Sequence, residues 1–288
     1  MEADSRRRYT RTGVLGKSKL WKITHIIEPL VTVAGLRRWA LSQTLDIGLT
    51  DIEIRLPRLP DAFDGYKILL VSDFHVGRIP GLLERATTLV RDVAVDTAIL
   101  AGDIQSWGTP AAGRAVCELM PFIDALDVRD GIFAVLGNHD SHDLAEALNA
   151  VGIRTLINEH AIIGRGGASL RLTGLDDVNT FYTADAERTL RPSTEADVSV
   201  ALVHSPEMAD IAANAGYDLY LAGHTHGGQI CLPGGRPIVT AIDRHRDLAS
   251  GIWCCDGMPG YTSRGLGVAR RVRLNCPPEI TVLRLRRR

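Results

Sequence analysis

Residues 66–75 read YKILLVSDFH, an apolar run from Ile68 to Val71 that ends abruptly in Ser72, Asp73 and His75. A short, continuous apolar run bounded by polar residues predicts a strand buried on both faces. The same ending recurs along the chain. TAILAGD (97–103) closes on Asp103, and GIFAVLGNHD (131–140) closes on Asn138, His139 and Asp140. VSVALVHSP (198–206) ends with His204, and YDLYLAGHTH (217–226) with His224 and His226. Open α/β sheets bind ligands outside the carboxyl ends of their strands. Strands that release Asp, Asn or His at the same point in their pattern therefore build one site. On an extended chain, residues i and i+2 share a face, so His224 and His226 are expected to converge on one object.

Helical spacing of apolar residues falls between these runs, at 82–95, 111–126, 143–151 and 207–215. Further strands are expected at 51–60, 155–163, 169–174 and in EITVLRLR (279–286). Alternating strands and helices predict an α/β protein. The 288 residues suffice for one large domain, and an apolar content of 45% with 23% charged residues is ordinary for a globular chain. A net charge of −1 leaves no general electrostatic grip on nucleic acid, so no sequence-specific nucleic-acid partner is expected.

The five cysteines (Cys117, Cys231, Cys254, Cys255, Cys276) are odd in number and show no C-x-x-C spacing. A disulfide framework or structural zinc is not expected, and the pattern fits a reducing, cytoplasmic compartment. Cys254 and Cys255 are expected to be buried as small apolar residues. Residues 1–19 read as a disordered basic tail. Residues 20–50 read as an amphipathic helical segment, with a stripe of Leu20, Ile23, Ile27, Leu30, Val31 and Ala34 flanked by Trp21 and Trp39. The stripe is expected to pack on the main domain, residues 51–288. The competing reading is a peripheral contact of residues 20–45 with the inner face of a membrane. Arg7-Arg8 is not followed by an apolar export core, and no uncharged apolar run is long enough to span a bilayer. Oligomeric state is left open.

Seven side chains at the strand ends are candidate metal ligands: Asp73, His75, Asp103, Asn138, His204, His224 and His226. Imidazoles, carboxylates and an amide oxygen suit Mn²⁺, Fe, Zn²⁺, Co²⁺ or Ni²⁺ better than Ca²⁺. The set is too large for one catalytic metal with an open position, and about right for two metals sharing a carboxylate.

In the order D-x-H, G-D, G-N-H-D, H and G-H-x-H, these residues resemble the calcineurin-like metallophosphoesterase family. The resemblance covers residues 68–230. HIIEPL (25–30), LPDAFDGYKILLVSDFHVG (59–77), LAGHTHGGQICLP (221–233) and TSRGLG (262–267) extend it toward a bacterial, phosphodiesterase-like branch. It implies a two-sheet β-sandwich flanked by helices, with a dinuclear site at the carboxyl ends of the strands. It further implies that Asp73, His75 and His226 hold one divalent metal and Asn138, His204 and His224 the other, with Asp103 as bridge. Mn²⁺ leads the candidate metals, with Mg²⁺ added to those above. His139 would face the leaving group as proton donor, with Asn138 and Arg78 also contacting the substrate phosphate. The implied reaction is hydrolysis of a phosphate ester, a diester before a monoester, by in-line attack of a metal-bridging hydroxide. A lipid-linked pyrophosphate substrate and a catalytically silent scaffold are the alternatives. One departure stands out: GDIQSWG (102–108) lacks the acid and arginine that some members carry after G-D. Asp140 is then the nearest candidate to orient His139, its competing role being to cap the following helix with Ser141.

Overall fold

Two six-stranded sheets carry the apolar runs. The computed structural model describes residues 29, 33–35, 37–106, 111–180, 183–192, 195–268 and 272–287. The first sheet has the order β1 (Gly48–Leu56), β14 (Glu279–Arg287), β2 (Lys67–Val71), β4 (Thr97–Ala101), β6 (Ile132–Val135), β7 (Ile153–Thr155). The second runs β12 (Gly251–Cys255), β13 (Met258–Thr262), β11 (Leu219–Ala222), β10 (Val198–Leu202), β9 (Ala168–Gly174), β8 (Glu159–Arg165). Strands β3 (Ala94–Val95) and β5 (Asp127–Val128) pair separately. In the first sheet β2, β4, β6 and β7 are parallel; in the second, β9, β10, β11 and β13 are. Both parallel cores therefore present carboxyl ends to which loops can bring side chains.

Three apolar layers explain why the strands read as continuous runs. Ile68, Leu70, Ile99 and Ala101 of the first sheet meet Val198, Val200, Leu202, Leu219 and Leu221 of the second between the sheets. The alternate residues Leu69, Val71, Ala98 and Leu100 turn outward to helices α2 (Leu82–Val90), α3 (Ala112–Ile123) and α4 (His142–Ala150). Across the molecule Ala201, Tyr220 and Ala222 face α5 (Ala184–Thr189) and α6 (Ala209–Asn214). Side chains alternate across a strand, so a strand covered on both faces has no polar face to show. Each buried Leu, Ile or Val contributes roughly 1.5–3 kcal/mol relative to exposure. The fold is the expected α/β sandwich flanked by helices.

Several expected boundaries move. The run expected as one strand over 155–163 is broken, because the chain leaves the first sheet at Thr155 and joins the second at Glu159, turning at Asn158 (φ 53°). Strand β1 begins at Gly48, so a domain boundary at 51 would cut it. Helix α1 (Arg37–Leu45) buries Ala40 and Thr44 and packs Leu41 and Leu45 on the helix-side core, while Trp39 stays 44% exposed. The tail 1–19, Trp21 and the stripe residues up to Val31 lie outside the described residues, and Ala34 is exposed. No helix among the described residues is long and apolar enough to cross a membrane. Cys254 and Cys255 are not a buried pair. Cys254 is exposed and Cys255 partly so, because on edge strand β12 the inward position belongs to Trp253, which hydrogen-bonds Thr262.

Candidate metal centre

Each strand stops before its polar residues begin, and the chemistry sits in the turns that follow. Asp73 (φ 54°), His75 (φ 44°), Asp103 (φ 54°), His224 (φ 69°) and His226 (φ 51°) all adopt left-handed backbone conformations. Side chains other than glycine rarely do so, and the strain persists only where the surroundings fix it, typically at functional sites. The convergence of His224 and His226 is therefore not that of an extended strand. Thr225 between them is right-handed (φ −78°, ψ −16°), and its hydroxyl donates to Ala249 O at 2.5 Å. The loops are stitched together: Asp73 N donates to Gly102 O (2.8 Å), His75 N to Asp103 O (3.0 Å) and Gly223 N to His204 O (2.9 Å). Packing is too close for side chains at several glycines of these loops. A Cβ at Gly102 would lie 2.5 Å from His204 Nδ1, and one at Gly137 only 2.2 Å from Asp103 Oδ1.

Two groups of ligand atoms result, Asp73–His75–His226 and Asp103–His204–His224, each with its atoms within 4.8 Å of one another. Asp103 Oδ2 stands between them, 3.9 Å from His75 Nε2 and 3.3 Å from His204 Nε2. The turn that carries Asn138 is tied to Asp103, whose Oδ1 accepts from His139 N at 2.9 Å. Asp73 Oδ1, Asn138 Oδ1 and His224 Nδ1 are buried without a hydrogen-bond partner among the described residues. Buried polar atoms seldom stay unsatisfied, so these three invite an occupant.

The imidazoles are oriented for metal. His75 Nδ1 lies 3.1 Å from Gln105 O, and His204 Nδ1 lies 2.7 Å from Ala101 O. A carbonyl can only accept, so Nδ1 carries a proton in both rings and Nε2 faces the centre, in the neutral His75 as a lone pair. His75 Nε2 then faces His226 Nε2 at 3.2 Å, with Asp73 Oδ1 3.6 Å from the latter. Burial lowers His75 and His224 to about 3 and holds His226 well below the usual histidine range. Neutral imidazole nitrogens meeting beside a carboxylate are a donor set that fits a divalent cation. Burial raises Asp73 to about 6. Burial opposes ionisation of Asp103 and His204 as well, but their mutual attraction prevails, lowering Asp103 and raising His204.

The remaining expected residues are placed as follows. His139 stands in a turn after β6, not on an extended strand; its ring meets that of His75 edge-on at 5.0 Å, and its Nε2 is 4.0 Å from Asp103 Oδ2. Arg78 is half-buried one turn past His75, whose carbonyl accepts from its amide at 3.1 Å. Asp140 has neither of its two expected roles. Its oxygens accept from Gln105 N (2.8 Å) and Gly137 N (2.9 Å), tying together the loops after β4 and β6. Burial, then Asp103, raises its pKa to about 7. Gln105 and Ser106, where some relatives carry an acid and an arginine, serve the metal side: Ser106 Oγ is 2.8 Å from His75 Nδ1. His160 pairs with Glu195 and His245 with Asp210, away from the centre, and His142 is exposed.

One contributor escaped the sequence reading. Asn179 Nδ2 lies 3.4 Å from His224 Nε2, beside a candidate ligand. Its signal was present in LRLTGLDDVN (170–179), another apolar strand ending in Asp176, Asp177 and Asn179.

An α/β sandwich with paired carboxylate and histidine groups at its strand ends defines a binuclear metal-binding hydrolase scaffold. The calcineurin-like phosphoesterase family model matches residues 66–228, more than half of the chain, and the chain belongs to that family. Phosphodiesterase YaeI of Escherichia coli is 29% identical over 246 residues, 81% of this chain and 87% of YaeI. The uncharacterised metallophosphoesterase YkuE of Bacillus subtilis is 29% identical over 249 residues, covering 83% and 86%. Among solved structures, the NAD nucleotidase of Haemophilus influenzae aligns with a TM-score of 0.47 at 16% identity, covering 70% of this chain and 50% of that one. The family acts on phosphate esters with divalent metals.

Proposed function

We propose that the protein is a phosphodiesterase working with two divalent metals, Mn²⁺ first among them, and that Asp103 is the carboxylate that would help hold both. The observation that carries this reading is Asp103 Oδ2 standing between His75 and His204, together with oxygens of Asp73 and Asn138 that are buried without a hydrogen-bond partner among the described residues. Two bound cations would neutralise the phosphate oxygens and supply an activated water nucleophile. The chain's own residues do the rest. The carbonyls of Gln105 and Ala101 hold His75 and His204 in one tautomer, so neither ring must reorient. His139, at the rim of the centre, protonates the departing alkoxide. Arg78 contacts a phosphate oxygen.

Diester preference rests on charge. The loops after β2, β4 and β6 carry one arginine, Arg78, which is little for a dianionic monoester. The test is a metal-reconstituted comparison of bis(p-nitrophenyl) phosphate, p-nitrophenyl phosphate and cyclic nucleotides. A higher kcat/KM for the diesters is expected, and faster monoester turnover would overturn the assignment. A second reading, a lipid-linked pyrophosphate, is favoured by one feature. A groove of about 560 Å³ between α2 and α3 is lined by His75, by the apolar Val76, Ile79, Leu82 and Leu83, and by the charged Glu84, Arg91 and Glu118. If an apolar chain occupies it, phosphodiesters with long alkyl leaving groups will show a lower KM than methyl esters, and Leu83→Asp will abolish the difference.

A further inference from the structure

Arg273 is the largest side chain fully buried among the described residues, at 0% exposure. A charge taken so far from water is normally paired with a carboxylate. Two acids act on it electrostatically, Asp73 and then Glu279, without a hydrogen bond to either. Glu279 is already engaged: Arg264 donates to it through N (2.9 Å) and Nε (2.7 Å), and Tyr261 OH does so at 2.9 Å. The Arg273 guanidinium spreads over main-chain carbonyls instead. Nη2 donates to Arg264 O (2.8 Å), Gly265 O (3.0 Å) and Gly267 O (2.6 Å), and Nη1 to Cys276 O (3.2 Å) and His226 O (3.5 Å).

Apart from Cys276 O, in Arg273's own segment, those acceptors belong to two loops with one feature in common. His226 is a candidate ligand itself. The 264–267 loop backs directly onto another: Gly267 N donates to Asp73 O (2.6 Å), Leu266 N to Ser72 O (2.9 Å), and a Cβ at Gly265 would sit 2.8 Å from Asp73 Cβ. One rigid fork thus fixes the backbone behind Asp73 and His226, both in the same group of ligand atoms. Its hydrogen bonds reach none of Asp103, Asn138, His204 or His224 among the described residues. A guanidinium offers five donors in a fixed plane, whereas an ammonium offers three from a single point and cannot span both loops.

We propose that Arg273 is the positioning residue of the Asp73–His75–His226 metal site, setting its affinity through two loops without touching the metal or the substrate. The proposal rests on the metal reading above. Partners behind metal ligands typically change affinity by roughly 10–100-fold when removed.

The test measures Mn²⁺ binding by calorimetry in two single-site backgrounds of the full chain. Asn138→Ala leaves the Asp73–His75–His226 group intact, and His75→Ala leaves the other group. Arg273→Lys is expected to weaken Mn²⁺ by about tenfold or more in the first background and by less than about twofold in the second. Equal losses in both would reduce Arg273 to general support of the fold and overturn the proposal, as would no loss in either. If Arg273→Lys does not fold, Gly267→Ala moves the same loop, since its Cβ would lie 2.3 Å from Phe74 O, and the same asymmetry is required. A parent chain that binds no Mn²⁺ would overturn the metal reading itself.

Discussion

Gly137→Ala isolates the steric demand of the centre from its chemistry. The backbone at Gly137 is not left-handed, so alanine meets no conformational penalty there, and the added methyl acts by volume alone. That methyl would lie 2.2 Å from Asp103 Oδ1, 2.5 Å from Asp103 N and 2.8 Å from Asp103 Cγ. Ordinary contact begins near 3.4 Å, so Asp103 or the loop after β6 must move by about 1 Å, an overpacking that costs about 1–3 kcal/mol. Reduced freedom of the unfolded chain returns about 0.4–1 kcal/mol, leaving a net loss on the order of 1–2 kcal/mol. The functional effect is larger, because metal–ligand distances are held to about 0.2 Å. A displaced Asp103 should lower metal occupancy from two per chain toward one or none, with turnover of bis(p-nitrophenyl) phosphate down at least 100-fold. Elemental analysis after dialysis, urea unfolding and steady-state kinetics read the three effects separately. A Gly137→Ala protein that keeps two metals and normal turnover would refute both the packing and the bridging role of Asp103.

Other perturbations probe the remaining parts. His139→Ala should keep two metals while turnover drops on the order of 10²–10⁴-fold, more for alkyl than for p-nitrophenyl esters, since only an alkoxide needs the proton; an equal loss for both would assign His139 to phosphoryl positioning. Asp140→Ala strips the acceptor from two buried amides, Gln105 N and Gly137 N, and should cost about 2–6 kcal/mol in urea unfolding of the metal-free protein. A loss under about 1 kcal/mol would mean those amides find other partners. Metal affinity should fall as pH falls. His204, raised above the usual range, is protonated in the metal-free site at neutral pH and must give up about one proton per binding event, tenfold in affinity per pH unit. Below about pH 6 Asp73 adds a second proton, while His75 and His224, already neutral down to about 3, add none. Affinity independent of pH between 5 and 8 would contradict this pattern.

The α/β class and nearly all of the candidate centre were legible in the sequence, because burial on both faces of a strand leaves a continuous apolar run. Where Ile68–Val71 or Leu219–Ala222 gives way to Asp, Asn or His, little but a site at the sheet edge explains the switch. What the linear pattern could not give is backbone conformation after the strand ends. His224 and His226 converge because left-, right- and left-handed residues alternate, not because the segment is extended. That geometry is imposed by contacts from distant loops, such as Thr225 on Ala249 and Gly223 on His204. Asp140 looked like a helix cap or a partner for His139, yet its carboxylate is spent on two amides of neighbouring loops. Arg273 carried no local signal at all. A guanidinium held by the carbonyls of residues 226, 264, 265, 267 and 276 acquires its role only when tertiary packing brings those loops together.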